Sequence, residues 1–326
     1  MKEPRWPTLG DILEARKTIA PFLPKTPLYS YPQINDLIGT EVFIKHEDHL
    51  PTRSFKVRGG LNLIAHLSPE IKRRGVVTAS TGNHALSIAY ACRLFGVEAT
   101  IVMPEGANPV KVKAVASQGA KVIFAGQIFD QAKDFALSLA EKKGARFIHP
   151  ANEPDLVAGV ATYALEIFED QPQIEVVIVP VGGGSGASGC CLVKEALGRG
   201  KKTRVMAVQA EQAPAAYLSW KNRKLQQAAM KTAAEGLQTM MGYEFTQNIL
   251  WAYLDDFQLV SEEEMARAIL IYLENIRSLT EHAGAAALAA ALKIKDELKG
   301  KKVALILSGG NLSLESLKAL VTLRDS

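Results

Sequence analysis

Residues 176–189 read VVIVPVGGGSGASG. The first six, Val176 to Val181, form an unbroken apolar run, as expected of a strand buried on both faces of a sheet. Five glycines in the next eight residues, 182–189, are more than an ordinary turn needs. A buried strand that ends in a glycine loop and continues into a helix is the unit of a parallel α/β sheet. Upstream the same alternation repeats. Short apolar runs at 76–80, 99–104, 121–125 and 146–150 are separated by segments 84–96, 109–119 and 129–144, whose apolar residues recur every three or four positions. Parallel strands joined by right-handed helical crossovers follow from this pattern. Extended segments at 42–47, 204–210, 257–260 and 303–307 supply a second, larger sheet. A first helix is expected near 8–20. Ser261 to Glu264 has capping-box spacing, and the alanine-rich stretch 283–292 is helical by propensity. The expected fold is α/β in two domains, each a mostly parallel sheet flanked by helices. The larger domain takes 1–68 and 151–326; the smaller, 75–150, is inserted in it and leaves a cleft between the two.

The chain has 326 residues, 48% hydrophobic and 22% charged, a globular composition long enough for about two domains. Disordered, collagen-like and disulfide-scaffold classes are excluded. Thirty-eight Lys and Arg against 34 Asp and Glu leave a net charge of +4 without a long basic run, so nothing favours nucleic acid as a partner. Cys92, Cys190 and Cys191 lack metal-ligand spacing and read as reduced, buried small hydrophobes. The opening MKEPRWPTLGD has no apolar signal-peptide core. No apolar run reaches the ~18 residues of a membrane span. A cytoplasmic protein with no membrane partner is expected.

Four segments can carry chemistry. In Pro51-Thr-Arg-Ser-Phe-Lys-Val-Arg-Gly-Gly60, Lys56 stands between Phe55 and Val57 near a helix start. Apolar surroundings favour the neutral amine, a nucleophile toward carbonyl carbon; the alternative is a solvated basic face with Arg53 and Arg58. Ser80-Thr-Gly-Asn-His84 joins a strand end to a helix start. It reads either as an anion-binding loop or as a plain N-cap by Ser80 or Thr81. The glycine loop brings backbone amides close to a phosphate. Gly184-x-Gly186-x-x-Gly189, with Glu211 about 22 residues on, also fits a dinucleotide fingerprint. Ser308-Gly-Gly-Asn311 closes the run 303–307 as a ligand-facing strand end or a turn. His46-Glu-Asp-His49 pairs two histidines with two carboxylates, but its spacing is not that of the helical HExxH site. No metal is expected.

In this order, the four segments resemble the pyridoxal-phosphate enzymes of fold type II, the tryptophan synthase β group, and within it the threonine/serine dehydratases and serine racemases. Lys45-x-Glu47 followed by Thr52-x-Ser54-Phe-Lys-x-Arg-Gly59 is similar to the segment that binds the cofactor covalently. The resemblance implies pyridoxal 5'-phosphate on Lys56, beside Phe55, with Lys56 then acting as general base. It implies the substrate carboxylate on Ser80, Thr81, Gly82, Asn83 and His84, with Asn83 also at the cofactor ring oxygen. Gly182, Gly183, Gly184, Ser185 and Gly186 would hold the phosphate, and Ser308 the pyridine nitrogen. Three positions depart from the pattern: Arg53 where glycine is common, Ser185 for the fourth glycine, and Thr81, a catalytic serine in racemases. The divalent-cation motif of some relatives is broken, since Tyr217 stands six residues after Glu211. The implied activity is a dehydratase (ammonia-lyase) acting on L-threonine, L-serine or a similar small β-hydroxy amino acid, in a homodimer. The alternatives within the family are a serine racemase and a lyase for 3-hydroxyaspartate or a diamino acid. Outside it stand a nicotinamide oxidoreductase, which leaves Lys56 and Ser308 unused, and a non-catalytic carrier of the cofactor.

Overall fold

The computed structural model describes residues 5–324. Its strands in chain order are β1 (Leu28–Ser30), β2 (Val42–His46), β3 (Val76–Ala79), β4 (Ala99–Met103), β5 (Lys121–Phe124), β6 (Arg146–Phe147), β7 (Val176–Pro180), β8 (Arg204–Ala210), β9 (Asp256–Val260) and β10 (Val303–Leu307). They form a six-stranded sheet, β1-β2-β10-β7-β8-β9, and a four-stranded sheet, β5-β4-β3-β6. All pairings are parallel except β1 with β2. The expected strands are all present. β1 was not expected, because three half-exposed residues carry no apolar pattern.

One compact unit comprises 24–55 and 163–326 and holds the larger sheet. Helix His282–Lys293 lies against β7, β8, β9 and β10, with residues 283–291 all buried. Its alanines let the helix backbone approach the sheet closely. Helix Glu262–Ile276 packs on it and starts at the expected capping box, with the Ser261 hydroxyl accepting the Glu264 N–H and the Glu264 carboxylate accepting that of Ser261.

The other unit comprises the described residues up to Leu23 and 56–162. Ala132, Ala136 and Ala140, four apart on helix Phe129–Lys143, pack with Val77, Ala79 and Val102 of β3 and β4. These boundaries differ from the expected 68/75 and 150/151. The division follows helix packing rather than the strand count: helix Lys56–Ala65 packs against Asn83–Phe95 and Leu9–Ile19, so it goes with the smaller sheet. It also crosses the start of helix Pro154–Asp170 at two glycines. A Cβ on Gly159 would stand 2.5 Å from the Arg58 carbonyl oxygen and 2.9 Å from the Gly59 Cα. Arg58 is buried here and donates to the Thr162 hydroxyl at 3.1 Å, which rules out a solvated basic face. Among the described residues no helix is long and apolar enough to cross a membrane.

The crossing sets the position of the helix that begins with Lys56. Gly159→Ala should destabilise the protein by about 1–3 kcal/mol through overpacking, outweighing the ~1 kcal/mol that alanine gains in helix propensity. The midpoint of urea unfolding checks this; an unchanged or higher midpoint would mean the helices can separate freely.

Candidate active site

The segment before Lys56 is laced onto the end of β10. The Phe55 N–H donates to the Ser308 carbonyl at 3.1 Å, Ser54 bridges Gly309, and the Gly310 N–H donates to the Arg53 carbonyl at 2.8 Å. The Asn311 amide donates to the Thr52 carbonyl at 2.9 Å. Two of the four sequence segments are thus side by side. Arg53 adopts φ +57°, a left-handed conformation that glycine takes without strain and arginine does not. Ser308 is buried, and its hydroxyl makes only a long contact, 3.4 Å, to the Ala283 carbonyl.

The glycine loop belongs to the same unit. A Cβ on Gly182 would stand 2.2 Å from the Gly236 carbonyl oxygen, and Gly184, at φ +87°, has Thr246 2.9 Å from where its Cβ would be. Side chains are excluded, so the loop offers bare backbone. Helix Ser185–Ala196 follows with Gly184 as its N-cap and no side-chain cap. An uncapped helix N-terminus reached through glycines is the donor set that a phosphate monoester takes, so these residues fit the cofactor's phosphate. Two residues not singled out from the sequence hold the loop: the Thr246 hydroxyl donates to the Gly183 carbonyl at 2.7 Å and the Tyr163 hydroxyl to that of Gly186 at 3.0 Å. Neither sits in a recognisable motif. The Phe55 ring meets Tyr163 edge-on, centroids 6.1 Å apart, which brings Phe55 against the same loop.

In the other unit Lys56 opens its helix, and its carbonyl accepts the Ser87 hydroxyl at 2.7 Å. Ser87 belongs to helix Asn83–Phe95, which carries Asn83 and His84. The N-cap of that helix is Gly82 with no side-chain cap, so Ser80 and Thr81 do not fill the simple capping role. Instead the Ser80 hydroxyl accepts the Gly82 N–H at 3.2 Å, and a Cβ on Gly82 would meet open space. The loop therefore has room for a ligand at an uncapped helix start.

His84 is buried beneath it. Thr78 donates its hydroxyl proton to the Ile148 carbonyl at 2.8 Å, so at 3.1 Å it can only accept from His84 Nε2. That fixes the tautomer. Burial, then the charges of Lys56 and His149, push the His84 pKa down to about 3. His149 accepts the Ala151 and Asn152 N–H groups on Nδ1, at 3.0 and 2.9 Å. Burial and the charge of Lys133 lower its pKa to about 4. Both rings are neutral at pH 7.

A family model described as "Pyridoxal-phosphate dependent enzyme" matches residues 19–309. The chain belongs to that family. This pyridoxal-phosphate dependent enzyme is 41% identical over 315 residues to the L-threonine ammonia-lyase of Thermotoga maritima, covering 96% of this chain and 78% of that protein. It is 35% identical to the L-threo-3-hydroxyaspartate ammonia-lyase of Saccharomyces cerevisiae, with 97% of each chain covered. The solved serine racemase of Dictyostelium discoideum superposes with a TM-score of 0.87 at 35% identity, over 94% of this chain and 99% of that one. The dinucleotide reading fails on this family and on Glu211, whose carboxylate is tied to Lys293 at 3.3 Å.

The two neutral histidines set an acid limit on this pyridoxal-phosphate dependent enzyme. Unfolded histidines titrate near 6.5, above both folded values, so the unfolded chain binds more protons between about pH 3 and 6.5. Stability should fall as pH drops through that window, by about 1.4 kcal/mol per pH unit for each ring. His149→Gln should remove close to one proton from the slope of unfolding free energy against pH, measured by urea titration between about pH 4.5 and 6, above the folded and below the unfolded value.

Proposed function

We propose that the chain is an ammonia-lyase that converts L-threonine, L-serine or a similar small β-hydroxy amino acid to a 2-oxo acid and ammonia. The observation that carries this reading is the backbone tie between Phe55 and the Ser308 carbonyl, because it holds the residue next to Lys56 beside a serine whose neutral side chain is buried. Bound pyridoxal phosphate supplies an electron sink for the pair released when a Cα–H bond breaks.

Lys56 Nζ is the covalent anchor of the cofactor. The Lys56 amine, when not engaged by the cofactor, would take the Cα proton as general base. Backbone N–H groups of Ser80, Thr81, Gly82, Asn83 and His84 bind the substrate carboxylate at the start of their helix. The Asn83 amide holds the cofactor's ring oxygen. N–H groups of Gly182, Gly183, Gly184 and Gly186, with the Ser185 hydroxyl, hold the phosphate, and Phe55 flanks the cofactor. Ser308 faces the ring nitrogen with a hydroxyl instead of a carboxylate. A neutral partner leaves that nitrogen largely unprotonated, which weakens the sink and favours elimination over transamination. Loss of the proton and the β-hydroxyl as water, followed by hydrolysis, yields the 2-oxo acid and ammonia. Thr81 keeps a hydroxyl where racemases carry serine, but its methyl crowds reprotonation, so racemisation is the minor course.

A second substrate, 3-hydroxyaspartate, is supported by Arg53, a half-exposed guanidinium three residues before Lys56, and by the yeast relative's activity. The chain also works as a cytoplasmic homodimer in this reading, supported by the family resemblance and by three buried free cysteines. Sedimentation equilibrium should return about twice the chain mass of 35.3 kDa.

Lys56→Ala should leave the fold intact and lower 2-oxo acid release from L-threonine by more than ~10³-fold. Borohydride reduction of the unmodified enzyme should place the cofactor on the Lys56 peptide. Finding it on another lysine, or full turnover in the variant, would sink the assignment; release from 3-hydroxyaspartate but not threonine would select the second substrate.

A further inference from the structure

The turn between β2 and Lys56 brings together a second set of chemically active groups. Glu47–His49 forms a single turn of 3-10 helix with His46 as its N-cap. In that helix residues three apart eclipse, so His46 and His49 lie on one face, with ring centroids 4.7 Å apart and 31° between the planes. The α-helical spacing that governs the HExxH site does not apply here, and the sequence pattern therefore hides the pair. Asp48 turns its carboxylate to both rings, 3.3 Å from His46 Nδ1 and 3.7 Å from His49 Nε2. Ligand atoms of all three residues lie within 4.8 Å of one another.

We propose that His46, Asp48 and His49 form a binding site for a divalent transition-metal ion, of which zinc is the best fit. Atoms ~2.0–2.1 Å from a tetrahedral zinc stand roughly 3.4 Å apart. The 3.3 and 3.7 Å separations run to different oxygens of Asp48. With one ligand atom from each residue the set lies within 4.8 Å, so small side-chain rotations would close it on one ion. Two imidazoles and one carboxylate suit zinc or cobalt and do not suit calcium or magnesium, which take oxygen donors. Supporting contacts are in place. With its proton on Nε2, His46 donates to the Tyr31 hydroxyl at 2.9 Å and turns the Nδ1 lone pair toward Asp48. His46 and Asp48 are buried, whereas His49 is 44% exposed and gives the ion a way in. The Arg53 guanidinium, 3.9 Å from Asp48, is the cation the carboxylate has now, and a bound dication replaces it. His46 is the register partner of Leu307, next to Ser308. The ion would therefore fasten the turn that leads to Lys56.

The test is calorimetric titration of the chelator-treated, dialysed holoenzyme with zinc chloride, beside His49→Ala and Asp48→Asn. One zinc per chain is expected, bound at least roughly tenfold more weakly by each variant, with unchanged circular dichroism. Cobalt(II) should give the visible ligand-field bands of a four-coordinate site in the parent enzyme and not in His49→Ala. His49 is half-exposed, so its variant should fold even if Asp48→Asn does not. Absence of saturable one-to-one binding, or equal binding by parent and His49→Ala, would overturn the site and leave the cluster a hydrogen-bonded turn.

Discussion

A single backbone hydrogen bond, from the Phe55 N–H to the Ser308 carbonyl at 3.1 Å, sets where the chain stands when it reaches Lys56. Its position is inherited from sheet register. β2 and β10 pair in parallel from Val42 with Val303 to His46 with Leu307, so the residues after each strand emerge at the same end. This is the carboxyl end of a parallel sheet, where ligands of α/β folds bind. The Ser54–Gly309 bridge and the Arg53–Gly310 bond continue the pairing past the strands. Arg53 must take a left-handed backbone for this to happen, a strain tolerated because the flanking hydrogen bonds over-determine it.

Beneath this segment the end of β2 and the turn after it carry buried charge. Lys45 and Glu47, two apart, point to one side and are fully buried. Lys45 pairs with Glu166 and donates to the Thr26 carbonyl at 2.8 Å, while the Thr26 hydroxyl donates to Glu47 at 2.6 Å. Removing one partner of such a pair costs about 3–5 kcal/mol because the other charge stays buried. The network therefore resists any slip of β2 against its neighbours, and a slip of one residue would turn the wrong side chains toward the ligand end.

The apolar runs made the strands legible because a strand covered on both faces has no polar side to show. Helix packing was not legible. Nothing in the periodicity of residues 56–65 says that this helix packs on Asn83–Phe95, which assigns it to the smaller sheet, or that Gly59 and Gly159 meet. Lys56, the glycine loop and Ser308 stood out through local composition, whereas Thr246 and Tyr163 reach the loop from distant parts of the chain through single hydroxyls. The histidine pair at 46 and 49 was visible as residues but not as geometry, since nothing in the pattern announces the 3-10 turn that eclipses them.

The proton inventory of the candidate residues narrows the chemistry further. Ser308, Ser185 and Thr81 offer hydroxyls and Asn83 an amide, none of which accepts a proton at neutral pH. His84 has the right chemistry but the wrong setting. Its Nε2 proton is committed to Thr78, and burial, with the charge of Lys56 next, holds its pKa down at about 3. In the proposed site Lys56 is then the one side chain of the set suited to lift a proton from carbon and return it. One base on one side of the substrate suits elimination, where the proton is removed and a β-substituent departs. It does not suit inversion, which needs a second proton donor on the opposite face. Thr81 is the only hydroxyl of the substrate loop besides Ser80, and Ser80 already accepts the Gly82 N–H. Under the roles proposed above, the balance between lyase and racemase turns on how freely the Thr81 hydroxyl can give up its proton.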